Sequence, residues 1–142
     1  MMKKRLLVLL TGLGLYSATT AQTAKVQVIH NCADAAASQV DVYVNGVLTL
    51  DDFAFRTSTP FLDLPAGVNI NVGIAPDTSA SVNDTITSFN YNLMSGSNYV
   101  LVASGIVSPS GYNPAPAFNL EVFALGRLTA TNPANTDVLI MH

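Results

Sequence analysis

Residues Val40 to Gly46, which read Val-Asp-Val-Tyr-Val-Asn-Gly, constrain the fold more than any other stretch of the chain. Val40, Val42 and Val44 fall on one side of an extended backbone, with Asp41, Tyr43 and Asn45 on the other. A helix would scatter these valines around its circumference. Asn45-Gly46 then supplies two residues that tolerate positive φ, the signature of a tight type I′ hairpin turn, and Val47 to Leu50 reads as the return strand. Tyr43, opposite the valine face, is expected to be exposed.

The same period of two recurs along the chain, and helical periodicity is hard to find after the N-terminal segment. Strands are predicted over 24–30, 59–64, 68–75, 84–91, 98–104 and 118–125, separated by turns such as Pro65-Ala66-Gly67 and Ser95-Gly96-Ser97. Leu93-Met-Ser-Gly96-Ser-Asn-Tyr99 has the spacing of a tyrosine corner, in which the phenol bonds back to the preceding turn. Leu64-Pro-Ala-Gly67-Val-Asn-Ile70 repeats that frame with Ile in place of Tyr. Seven to eight short strands with frequent turns predict an all-β, antiparallel sandwich of the immunoglobulin-like or transthyretin-like kind.

Residues 1–21 read as a signal peptide. Lys3, Lys4 and Arg5 precede an apolar run from Leu6 to Leu15, and Thr19-Thr20-Ala21 gives a cleavage site between Ala21 and Gln22. The run falls short of the ~20 apolar residues that span a bilayer. The product is therefore expected outside the cytoplasm: extracellular, on the cell surface or periplasmic. Beyond the signal, Lys25, Arg56 and Arg127 face nine carboxylates. So little positive charge argues against nucleic acid and against an anionic membrane as partners. The single cysteine, Cys32, has no partner for an intramolecular disulfide, so core packing has to supply the stability.

The chain also echoes itself. Thr136-Asp-Val-Leu-Ile-Met-His142 resembles Ala24-Lys-Val-Gln-Val-Ile-His30, one domain length apart. This predicts a sandwich over 22–128, a linker over 129–136 and the first strand of a truncated second repeat over 137–142. The neighbouring repeat of the same polypeptide is then an expected partner.

Taken in order, the strand ending in His30, Asp34-Ala35, Val40-Asp-Val-Tyr-Val-Asn-Gly46, Leu64-Pro-Ala-Gly67 and Leu93-x-x-Gly96-x-x-Tyr99 resemble the DUF4397 family over roughly residues 24 to 126. The resemblance implies an exported bacterial β-sandwich domain, often in tandem, with no established chemistry. In the family the histidine is followed, one residue on, by Ser-Pro-Asp-Ala-Pro. Here Cys32-Ala33-Asp34-Ala35-Ala36 stands in that place and lacks both prolines.

Candidate chemistry is sparse. His30, Cys32 and Asp34 would project to one side of an extended segment, and all three residue types ligate zinc. The competing expectation is that His30 bonds a loop, Cys32 packs and Asp34 organises a turn through the backbone. Asp51, Asp52 and Asp63, and Asp77 with Asp84, are candidate calcium ligands without an EF-hand spacing. Sugar binding would have to use Tyr43, Tyr91 or Tyr112, since the chain has no tryptophan. No catalytic constellation is visible and no cofactor is expected. The sequence thus predicts a non-enzymatic exported structural, adhesive or interaction module, with a protein or glycan partner at the cell surface. A carbohydrate- or calcium-binding module is the alternative, and a small hydrolase or thiol enzyme a distant one.

Overall fold

The computed structural model describes residues 22–124 and 126–140. The signal-peptide segment 1–21 and its Ala21/Gln22 junction, Leu125, and the closing Met141 and His142 of the repeat echo lie outside the described residues, apart from Gln22 itself.

Eight strands form two four-stranded sheets. They are β1 (Thr23–His30), β2 (Gln39–Val44), β3 (Val47–Ala54), β4 (Leu62–Pro65), β5 (Asn69–Pro76), β6 (Thr87–Asn92), β7 (Asn98–Ser104) and β8 (Asn119–Phe123). The first sheet runs β4-β1-β7-β8 and the second β3-β2-β5-β6. Alternation decides which residues fill the space between them. Val26, Ile70, Val72, Leu101 and Leu120 come from both sheets and are buried together with Leu93 beyond the end of β6. The expectation of an all-β sandwich holds.

The expectation of purely antiparallel pairing does not. β1 and β7 run parallel, Val26 opposite Tyr99 and Val28 opposite Leu101, while every other ladder is antiparallel. Side-chain alternation fixes the face a residue occupies and says nothing about the direction of a partner some seventy residues away.

The β2–β3 hairpin turns at Asn45 and Gly46, both at positive φ (50° and 80°), as a type I′ turn requires. β3 extends past Leu50 to Ala54 because its ladder is bulged: Asp41 lies between the pairs Val40–Phe53 and Val42–Leu50, facing Asp51 and Asp52 together. Asp52 takes a positive φ of 51° within this bulge. The tyrosine corner is present: the Tyr99 hydroxyl accepts from the Met94 N–H at 3.0 Å, and Leu93 is buried beside it.

Two predicted strands begin later than expected. Pro60 has no N–H, so the segment from Ser58 joins β1 through the Ile29–Ser58 bridge and through Thr59, whose N–H donates to the Val28 carbonyl and whose hydroxyl and carbonyl accept from the Val28 N–H and the Gln27 amide, and regular pairing starts at Leu62. Residues 82–84 form a 3₁₀ turn under a Ser81/Asp84 capping box, which delays β6 to Thr87. Residues 137–140 take part in no strand.

Candidate functional site

The loop after β1 gathers the chemistry-bearing residues, and each side chain takes a separate partner. His30 ends β1 with 1% of its surface exposed. Its Nε2 lies 2.8 Å from the Ala37 carbonyl and its Nδ1 3.4 Å from the Cys32 backbone nitrogen. A carbonyl can only accept and an N–H only donate, so the ring is neutral with its proton on Nε2. Burial holds its pKa below the usual imidazole value, and the Ala37 bond opposes that only in part. Phe53 and Phe55 pack around the ring, with centroids 5.8 and 6.0 Å away.

Cys32 is buried and its thiol donates to the Gly105 carbonyl at 3.1 Å. Burial pushes its pKa up, the Asp34 charge adds to this, and the Asp34 backbone N–H opposes it. The sulfur is thereby held as a protonated thiol, poorly suited to nucleophilic attack or metal ligation. Gly105 in turn lets the 117–118 segment come close: it sits at φ +83°, and a Cβ there would collide with the backbone of Ala117 and Phe118.

Asp34 is the hub of this end of the molecule. Its carboxylate accepts from the Ala36 N–H that opens the 3₁₀ turn Ala35–Ala37, from the Val107 and Ser108 N–H groups, and from the hydroxyls of Ser108 and Tyr112. Burial by itself would raise the pKa. The bonds from Ser108, Ala36 and Val107 outweigh it and pull the value down to about 2. Tyr112 completes the circuit by accepting from the Ala35 N–H at 2.8 Å. Two loops distant in sequence are thus sewn together by one carboxylate.

His30, Cys32 and Asp34 do not converge as a metal site would require. Their polar atoms point respectively to Ala37, Gly105 and the 107–112 loop. Asp84 accepts from the Ala80 and Ser81 N–H groups, Asp77 is exposed, and Asp63 pairs with Lys25 at 3.0 Å.

Among the described residues, carboxylates come together at Asp41, Asp51 and Asp52, whose oxygens lie within 4.8 Å of one another. These are the residues that could hold a divalent cation, and Asp51 and Asp52 were anticipated. Asp41 was missed; the available signal was a lone acid amid the valines of β2, set opposite a two-acid return strand. Asp41 is buried, and its two oxygens already accept from the Asp52 N–H and the Ser79 hydroxyl.

Tyr43 reverses its expected exposure. It does lie on the outer face, yet it is 5% exposed, because residues 77–86 fold back over that face. Ser79 bonds both the Tyr43 hydroxyl and Asp41, while the Thr85 side chain sits directly over Gly73. Tyr91 joins Phe89 and Phe118 along the sandwich edge, donates to the Leu120 carbonyl, and is pushed up to about 12 by burial and by Glu121. The three tyrosines therefore form no flat exposed platform.

These features define a class: an all-β domain of two packed sheets, one of them mixed, with buried polar groups wired into its loops. A family model described as a domain of unknown function, DUF4397, matches residues 18–138, and the chain belongs to that family. No curated protein matches it.

Proposed function

We propose that the chain is a non-enzymatic, exported structural, adhesive or interaction module, a repeat unit of a cell-surface or secreted protein. The supporting observation is that every buried polar side-chain atom among the described residues has a hydrogen-bond partner. His30, Cys32 and Asp34 act as internal ties, each with its own protein partner. Ties of this kind stiffen a scaffold and hold its loops in one arrangement, which suits a bead that presents contact surfaces. The presenting loops would be 31–39 and 108–117, joined through Asp34, at one end, and 77–83 against the second sheet. The finer topology is part of the same reading: eight strands, two sheets and a tyrosine corner support an immunoglobulin-like or transthyretin-like connectivity.

The test is adhesion of beads coated with the mature chain to cells and to matrix-coated surfaces. Retention that falls when loop 108–117 is replaced by Gly/Ser, with the fold intact by circular dichroism, supports the reading. Turnover of ester, amide or glycoside substrates that is abolished by substituting a residue of these loops would overturn it.

A further inference from the structure

The two outer faces of the sandwich differ in chemistry. On the β3-β2-β5-β6 sheet the outer surface is polar, with the Asn69 and Asn71 amides both donating to Asn90. The outer surface of the other sheet sets an apolar strip among polar residues: Ile29 stands beside Val102 and Val100 beside Phe123, with Gln27, Glu121 and the Lys25–Asp63 pair around them. Val100 and Val102 are already buried, at 6% and 3% exposed, while Ile29, Phe61 and Phe123 along the strip stay half-buried. Those three side chains leave apolar surface that a further segment can cover.

The chain after β8 lies where such a cover would. Arg127 holds it at two points, its Nε 2.9 Å from Asp137 and its Nη1 3.0 Å from the Thr131 hydroxyl. Between them the chain turns at Asn132, whose side chain and carbonyl accept from the Ala134 and Asn135 N–H groups. This return brings Val138 and Leu139 to the wall of a groove of about 740 Å³, opposite Ile29, Phe61, Val100 and Phe123. Val138, Leu139 and Ile140 remain 74%, 51% and 85% exposed, so they stand at the groove without filling it. Four extended residues reach about 13 Å, enough to cross from β8 over β7 to β1 at about 4.8 Å per strand. The family match, too, runs on to residue 138.

We infer that Asp137–Ile140 is a strap that closes onto the outer face of the β4-β1-β7-β8 sheet, latched by the Arg127–Asp137 ion pair. The occupant of the groove is this chain's own segment. Closing it buries Val138 and Leu139 against Ile29, Phe61 and Phe123, and opening it leaves those side chains half-exposed. The latch is exposed on both sides, so it is weak and sensitive to salt.

The test places a cysteine probe in the groove by Ile29→Cys, or Phe61→Cys should the first fold poorly, in the whole chain, where Cys32 is buried and serves as a silent control. Maleimide labelling rates are compared for the native strap, Asp137→Asn, and Val138→Ser with Leu139→Ser. Loss of an exposed latch is expected to raise the rate up to about fivefold. The double serine variant should raise it further, with the far-UV circular dichroism spectrum unchanged and a monomer throughout. Equal rates in all three would overturn the strap. So would protection that appears only at concentrations where the protein dimerises, since the cover would then be a second copy.

Discussion

Replacing His30 by leucine tests the central tie of the loop end. Leucine fills most of the imidazole volume between Phe53 and Phe55 but offers no polar atom. The Ala37 carbonyl then loses a 2.8 Å bond and the Cys32 N–H a longer one of 3.4 Å, both in a buried site. A buried group left without its partner costs about 1–3 kcal/mol, and the longer bond belongs at the low end, so the loss is about 2–4 kcal/mol at pH 7.5. The sign with pH is equally specific. The folded-state pKa of His30 lies below its unfolded value. The unfolded chain therefore binds the extra proton, and the stability His30 confers is complete above about pH 6.5 and falls as the pH drops through the folded value. The slope approaches, at most, about 1.4 kcal/mol per pH unit. The assay is urea unfolding followed by far-UV circular dichroism, in steps from pH 7.5 to 5.0, for both proteins. Subtracting one curve from the other cancels His142, the only other histidine. A difference that stays constant with pH, or a loss well under 1 kcal/mol at pH 7.5, would refute the neutral, doubly bonded ring.

In Asp34→Asn the amide keeps an acceptor but loses the charge, so the acid-labile part of the stability should go with it. The native protein should lose stability between about pH 4 and pH 2 as this carboxylate is protonated, and the variant should be flatter there; parallel curves would count against the hub. Tyr99→Phe leaves the Met94 N–H without its acceptor and is expected to lower the Tm by about 3–8 °C without changing the circular dichroism spectrum. Gly105→Ala meets both a left-handed backbone and the Ala117 carbonyl, so little soluble protein should be recovered. Wild-type yield and Tm would contradict the close approach of these loops. Cys32 should react with Ellman's reagent only as the protein unfolds in urea; labelling in native buffer would show that the thiol is accessible.

The sequence by itself determined the strands, their inward faces and the local turns. Val40, Val42 and Val44 lie inward because a strand alternates sides wherever it pairs. Asn45-Gly46 turns as expected because its φ preferences are intrinsic to those two residues. Leu93 and Tyr99 form their corner because the whole motif spans seven residues. Even the plainer reading of His30, Cys32 and Asp34, as loop tie, packed thiol and turn organiser, was legible from residue type.

Everything that joins distant segments was decided by the tertiary structure. The parallel pairing of β1 with β7, the burial of Tyr43 and Asp41 beneath Ser79, and the capture of Val107 and Ser108 by Asp34 link positions between 36 and 74 residues apart. Alternation tells each residue which face to occupy, but not which strand lies beside it, nor which loop folds over the outside. Those choices follow from how two sheets can close on one core, a condition that the whole chain meets at once and no single segment carries.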